Sequence, residues 1–242
     1  MATFSTRIRM ATAGLALLAL PAAFAPAVAA QPAVAFCDGL VATITGTPED
    51  DVIVGTEGPD VIAAFQGDDF IEGLGGDDII CGGIGDDTIY GGQGFDVLFG
   101  AQGNDLLDAV SFEETEDSAG SRMFGGAGDD FIVGSNKWDR MQGGPGEDSL
   151  LGFEGRDWIR GGANIDAISG GPGIDNLHGG NGNDIIGIWG ADTVRGGAGD
   201  DQCERYVNPG GAMLISCETD IPADDVETAE FAEILASFNP ER

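Results

Sequence analysis

One histidine, His178, and only ten lysines and arginines stand against 42 aspartates and glutamates, a net charge of −32. A single histidine excludes an HExxH zinc site, which needs two on one helix face. Scarce positive charge argues against a nucleic-acid partner, because phosphates would be repelled. No GxSxG nucleophile elbow occurs either. Paired carboxylates are everywhere, so no pair is singled out for acid–base work, and the chain is expected not to be an enzyme. No apolar run reaches the length of a membrane span. Present in excess are glycine, at 42 positions, and aspartate at regular intervals.

The first 30 residues read as a secretory signal peptide: Arg7 and Arg9, then the short apolar run "ATAGLALLAL", then small residues up to Ala30. The protein is therefore expected to be secreted and extracellular. Beyond this leader the chain carries eight basic and 42 acidic residues, a net charge of −34.

From residue 46 onward a nine-residue unit repeats. Counted from its first glycine, the sixth residue is aspartate and the eighth is large and apolar. The sixth positions are Asp51, Asp60, Asp69, Asp78, Asp87, Asp96 and Asp105, then Asp130, Asp139, Asp148, Asp157, Asp166, Asp175, Asp184, Asp192 and Asp201. None of the sixteen eighth positions, from Ile53 to Cys203, is polar or charged. Period and register together predict a solenoid. Positions seven to nine form a short strand with position eight inward. Positions one to six turn the chain, and two units complete one coil. Aspartates then stack at about 4.8 Å. Neighbouring charges at that distance repel by about 3.5 kcal/mol at an effective dielectric near 20. A hard divalent cation between stacked loops turns this repulsion into ligation, and an all-oxygen site of flexible geometry favours Ca²⁺.

Units such as "GGIGDDTIY", "GGQGFDVLF", "GGAGDDFIV" and "GGNGNDIIG" resemble the GGxGxDxUx nonapeptide of the repeats-in-toxin (RTX) proteins. The resemblance covers about 46–108 and 125–204. It implies an all-β fold, a right-handed parallel β-roll of about sixteen units. It also implies several calcium ions, held between loops by the sixteen position-six aspartates and by backbone carbonyls. Departures fall at Glu49, Lys137 and Asn164, each at position four, and at the eight-residue step before Asp192. End units have one stacked neighbour, so fewer than sixteen ions are expected.

The organisation expected is a leader (1–30), an N-terminal cap (31–45), a first repeat block (46–108), an acidic insertion loop (109–124), a second block (125–204), and a C-terminal cap and helix (205–242). The helix is read over "PADDVETAEFAEILASF", with acids in its first turn and an apolar side. Four cysteines in a secreted chain suggest two disulfides. Of three possible pairings, Cys37–Cys81 and Cys203–Cys217 are favoured, one near each end of the roll. The function expected is a secreted calcium-binding β-roll whose metal drives folding. The alternative is a cell-surface or matrix adhesion protein that uses the loaded roll as a spacer.

Overall fold

The computed structural model describes residues 35–110, 120–189, 191–206, 213–214 and 219–220. The alternation of inward position eight with outward positions seven and nine builds two parallel sheets of ten strands each. Successive strands of one sheet are two units apart in sequence: Ile71 lies against Ile89, and Ile89 against Leu107. The chain therefore passes from one sheet to the other and back once per coil, as expected of a β-roll. Every position-eight side chain is buried between the sheets, from Ile53 at 7% exposure to Cys203 at 2%, with the rest at 0%. This single-file column is the whole core, joined by Ala64, Ala109 and Ile188.

The two sides of the coil differ. Strands on one side span three residues, as in Phe70–Glu72 and Thr88–Tyr90. Those on the other span six, as in Ile79–Ile84 and Val97–Gln102. The sequence predicts three residues on both sides. The longer strands arise because positions one to three of the following unit also pair coil to coil, for example Gly83 with Ala101 and Ile84 with Gln102. We call these the long-strand and short-strand sheets. The first edge follows the long strands and the second edge follows the short ones.

The acidic insertion ends earlier than the repeat count suggests. Arg122–Ala127 is a long strand, paired with Val97–Gln102 on one side and Arg140–Pro145 on the other. Met123 is a fully buried position-eight residue. Residues 121–124 thus belong to the roll, in an additional unit whose sixth residue is Ser121. Only seven residues are inserted, since equivalent positions lie 25 rather than 18 apart across the break.

At the N-terminus Phe36–Cys37 and Leu40–Val41 form a small antiparallel hairpin, and Ile44–Thr45 is the first strand of the long-strand sheet. Cys37 is bonded to Cys81, the outward position-nine residue of a coil, as the sequence predicts. Cys203 is also disulfide-bonded. Cys217 and the expected C-terminal helix lie outside the described residues. Met213–Leu214 and Thr219–Asp220 each add a strand to one sheet beyond Cys203. Among the described residues no helix is long and apolar enough to cross a membrane.

Candidate metal centre

Each position-six aspartate closes the turn that leads into its strand, and the coil stacking brings these side chains into two columns. On the first edge the column is Asp51, Asp69, Asp87, Asp105, Asp130, Asp148, Asp166, Asp184 and Asp201. On the second it is Asp60, Asp78, Asp96, Ser121, Asp139, Asp157, Asp175 and Asp192. Within each column a backbone N–H donates to the side chain one coil ahead. Asp69 N–H donates to Asp87 Oδ1 at 2.9 Å and Asp87 N–H to Asp105 Oδ1 at 2.8 Å. The ladder crosses the break through Ser121, whose hydroxyl accepts from Asp96 and whose N–H donates to Asp139 Oδ1. Fourteen of the sixteen sequence-predicted aspartates therefore share one structural role through one carboxylate oxygen, while Asp51 and Asp60 head the two columns and enter the ladder only as N–H donors.

The second oxygen separates them into two kinds. In twelve units Oδ2 is buried and accepts no hydrogen bond: Asp69, Asp78, Asp87, Asp96, Asp105, Asp130, Asp148, Asp157, Asp166, Asp175, Asp184 and Asp201. In the other four it is occupied. Asp51 Oδ2 accepts from the Thr47 N–H and hydroxyl at 2.6 and 2.9 Å, and Asp60 Oδ2 from those of Thr56 at 2.7 and 2.8 Å. Asp139 Oδ2 accepts from the Ser135 N–H and hydroxyl at 2.7 and 3.1 Å. Asp192 Oδ2 accepts from the Trp189 N–H at 2.9 Å.

Backbone conformation divides along the same line. In all twelve open units position two has a positive φ, and in eleven position four does as well; the exception at position four is Gly173. In the four closed units no described loop residue does. Side chains that disfavour this region adopt it in open units, including Phe65 (φ 85°), Leu74 (φ 76°) and Ala101 (φ 90°). Coil stacking imposes the open conformation on them at a local cost of order 1–3 kcal/mol each. A threonine or serine at position two releases the loop from it, because its N–H and hydroxyl close the turn onto the carboxylate instead.

Two glycines show how tight the open loop is. A Cβ on Gly82 would overlap Asp87 Oδ2, so glycine at position one lets the carboxylate fold over the loop there, although the open unit of Asp69 accommodates Ala64 at that place. A Cβ on Gly85 would overlap the Gly67 carbonyl oxygen of the preceding coil, besides needing φ 135°. Backbone carbonyls thus lie close against the loop of the next coil.

Burial is the main force on most of these carboxyls and raises them above the usual carboxylate range, Asp69 and Asp184 among the open ones, and Asp139, pushed up to about 6, and Asp192 among the closed. Asp157 and Asp166 are pushed up to about 8, Asp78, Asp87 and Asp130 to about 7, and Asp96, Asp105, Asp148 and Asp175 to about 6. The donated N–H opposes burial, and neighbouring aspartates reinforce it. An uncompensated buried carboxylate is costly, and a bound cation removes that cost.

The donor set selects the cation. Among the described residues no three His, Cys, Asp or Glu side chains converge on one point. An ion here must draw on one or two carboxylates and on loop carbonyls. Such oxygen-only sites suit calcium, which accepts six to eight oxygens with loose geometry, better than zinc or magnesium.

Position five forms an exposed outer ladder that runs the opposite way. Asp86 N–H donates to Asp68 Oδ1, and Asn104 N–H to Asp86 Oδ1, at 2.9 and 2.8 Å. Its sequence signal is an Asp or Asn at most first-edge positions five: Asp50, Asp68, Asp86, Asn104, Asp129, Asn183 and Asp200.

A two-sheet parallel solenoid with buried, underbonded carboxylates at every coil after the first defines a calcium-binding β-roll. The RTX calcium-binding nonapeptide repeat model matches residues 45–80, 82–110, 121–136, 133–168, 160–187 and 186–202. The chain belongs to that family, and its cofactor is calcium. The match resumes at residue 121, where the additional unit's Ser121 stands. No curated protein matches the sequence.

Proposed function

We propose that this is a secreted protein whose β-roll is assembled by calcium, with the metal serving structure rather than catalysis. The observation that carries the reading is the set of twelve buried Oδ2 atoms without a hydrogen-bond partner. We assign calcium ligation to those twelve aspartates. Asp51, Asp60, Asp139 and Asp192 instead act as metal-free staples, their second oxygen being satisfied within the turn. Secretion is supported by the leader-like first 30 residues and by the Cys37–Cys81 disulfide, a bond suited to an oxidising compartment. His178 is a half-buried strand residue, with no catalytic partner in view.

The test is a calcium titration of the chain without its first 30 residues, followed by circular dichroism, with bound ions counted at saturation. Strand signal that rises with calcium and vanishes in chelator is expected. A strand spectrum indifferent to chelator would refute calcium-driven assembly. Detection of the chain in the culture medium, after loss of its N-terminus, tests secretion separately.

A further inference from the structure

The outward face of the long-strand sheet changes character along the roll. Its first coils carry uncharged side chains such as Val61, Ile79 and Val97. From Arg122 onward it becomes cationic. Arg122 and Arg140 are register neighbours, and Arg160 and Arg195 flank His178 one strand to either side. These four exposed arginines are half of the eight basic residues beyond the leader. No Asp or Glu occupies an outward position of this sheet between Val61 and Arg195. Among the described residues, none of the four arginines is in an ion pair.

In a chain with 42 acidic residues, four arginines without a carboxylate beside them are not a solvated mixed surface. Like charges one strand apart, about 4.8 Å, repel one another, and a bound anion would relieve them. Aromatic rings are set among them. Arg140 lies over Trp158 at 4.6 Å and Arg122 over Phe95 at 5.6 Å, while Phe124 stacks on Phe99 at 5.1 Å. Cation–π contact holds these two guanidinium groups over their rings, so charge and aromatic surface stand together on this face.

From this arrangement we propose that the arginine face binds a linear acidic polysaccharide lying along the roll axis. The cations follow the axis strand by strand, which suits a polymer with regularly repeated anions. Guanidinium groups pair with carboxylates or sulfates in bidentate fashion, and the flat rings offer platforms for sugar faces. Nucleic acid fits less well. A duplex carries a charge every ~1.7 Å, roughly three per strand step, against at most one arginine. The surplus would face the acidic loops at both edges. This inference does not depend on which aspartates hold calcium.

The test uses the calcium-loaded chain and four immobilised probes: polygalacturonate, chondroitin sulfate, neutral dextran and polyglutamate. Arg140→Ser with Arg160→Ser is compared with Ser149→Asp plus Gln202→Glu. The second pair makes the same change in net charge on the opposite sheet. Each variant's calcium-induced strand spectrum is checked first; an arginine pair that misfolds is replaced by Arg140→Gln with Arg160→Gln, and a charge-matched pair that misfolds by Ala167→Glu with Gln202→Glu. Binding to both acidic polysaccharides is expected, with neither dextran nor polyglutamate retained. The arginine pair should weaken it on the order of tenfold or more and the charge-matched pair far less. Equal losses would make the effect one of bulk charge, and undiminished binding would point to calcium bridging; either overturns the proposal. So would equal or tighter retention on polyglutamate, which would make the ligand an acidic polypeptide, or failure to bind either polysaccharide.

Discussion

Asparagine substitution at one open and one closed aspartate separates ligation from structure. Asp87 and Asp139 are both buried, and both accept an N–H from the preceding coil through Oδ1. Asparagine keeps that acceptor, so the ladder survives in either variant. The second atom decides the outcome. In Asp87→Asn an amide replaces an oxygen that has no protein donor, and one proposed calcium ligand is lost. The metal-free fold should gain, because Asp87 is held at about 7 against an ordinary 3.8. That rise, at about 1.36 kcal/mol for each tenfold change in proton affinity, is roughly 4 kcal/mol of penalty relieved above pH 7. In Asp139→Asn the amide meets two donors, the Ser135 N–H and hydroxyl. Losing two hydrogen bonds to a charged acceptor should cost on the order of 3 kcal/mol, but Asp139 is itself held at about 6 by burial, so roughly 3 kcal/mol of penalty is relieved above pH 6 and the net change is small, with or without calcium. The measurements are ion count at saturation and urea midpoints in calcium and in chelator. Asp87→Asn should bind fewer ions, need more calcium to fold and lose less on metal removal. Asp139→Asn should bind the wild-type number and shift the two urea midpoints alike and only slightly. An unchanged ion count in the first variant, or a lost ion in the second, would refute the division into open and closed loops.

Three further outcomes rest on the same geometry. Thr56→Val removes one hydroxyl from Asp60 Oδ2 but leaves the Thr56 N–H in place, so a loss of about 1 kcal/mol without loss of an ion is expected in urea melts. In chelator, the metal-free fold should be favoured by acid. Between about pH 4 and the raised folded values of about 6 to 8, the folded carboxyls hold protons that the unfolded chain has released. Their stabilising effect is complete below the unfolded value of 3.8 and is lost as pH rises through the folded values. Strand signal in chelator should therefore rise from pH 8 to pH 5, and a fall over that range would count against the burial of these groups. Cys37→Ser with Cys81→Ser opens a bridge of sequence separation 44, worth about 4 kcal/mol in the chain-entropy account. Hydrogen exchange should report the loss first in the hairpin around Phe36–Val41.

The register was legible because two independent signals share one period. An aspartate at position six and an apolar residue at position eight recur together, and each inward side chain from Ile53 to Cys203 follows from that count. Alternation of long and short strands was not legible, because both kinds of unit carry similar glycine-rich halves. It depends on whether positions one to three pair with the neighbouring coil, which is a property of the stack. The unit ending in Arg122, Met123 and Phe124 was hidden twice, by serine in place of aspartate and by a seven-residue shift. The closed loops did leave a trace. Thr47, Thr56 and Ser135 stand at position two of their units, and each has the N–H and hydroxyl needed to close the turn. Read as departures at position four, around Glu49 and Lys137, the same units showed the difference without its cause.

Laid out along the roll, the two kinds of loop are not scattered. On the first edge Asp51 is closed and the next eight aspartates, Asp69 to Asp201, are open without interruption. On the second edge Asp60, Asp139 and Asp192 are closed and Ser121 offers no carboxylate, so the open positions are two isolated pairs, Asp78 with Asp96 and Asp157 with Asp175. Cooperative assembly in a solenoid depends on contact between neighbouring units. On the proposed assignment, each ion along the first edge is flanked by others and shares ligands with them, whereas an ion within an isolated pair has a neighbour on one side at most. The first edge is therefore where calcium couples coil to coil over the length of the molecule. The second edge keeps register at its ends and middle by hydrogen bonds that need no metal. Such staples matter most beside the seven-residue insertion, where the repeat alone no longer dictates which coil stacks on which.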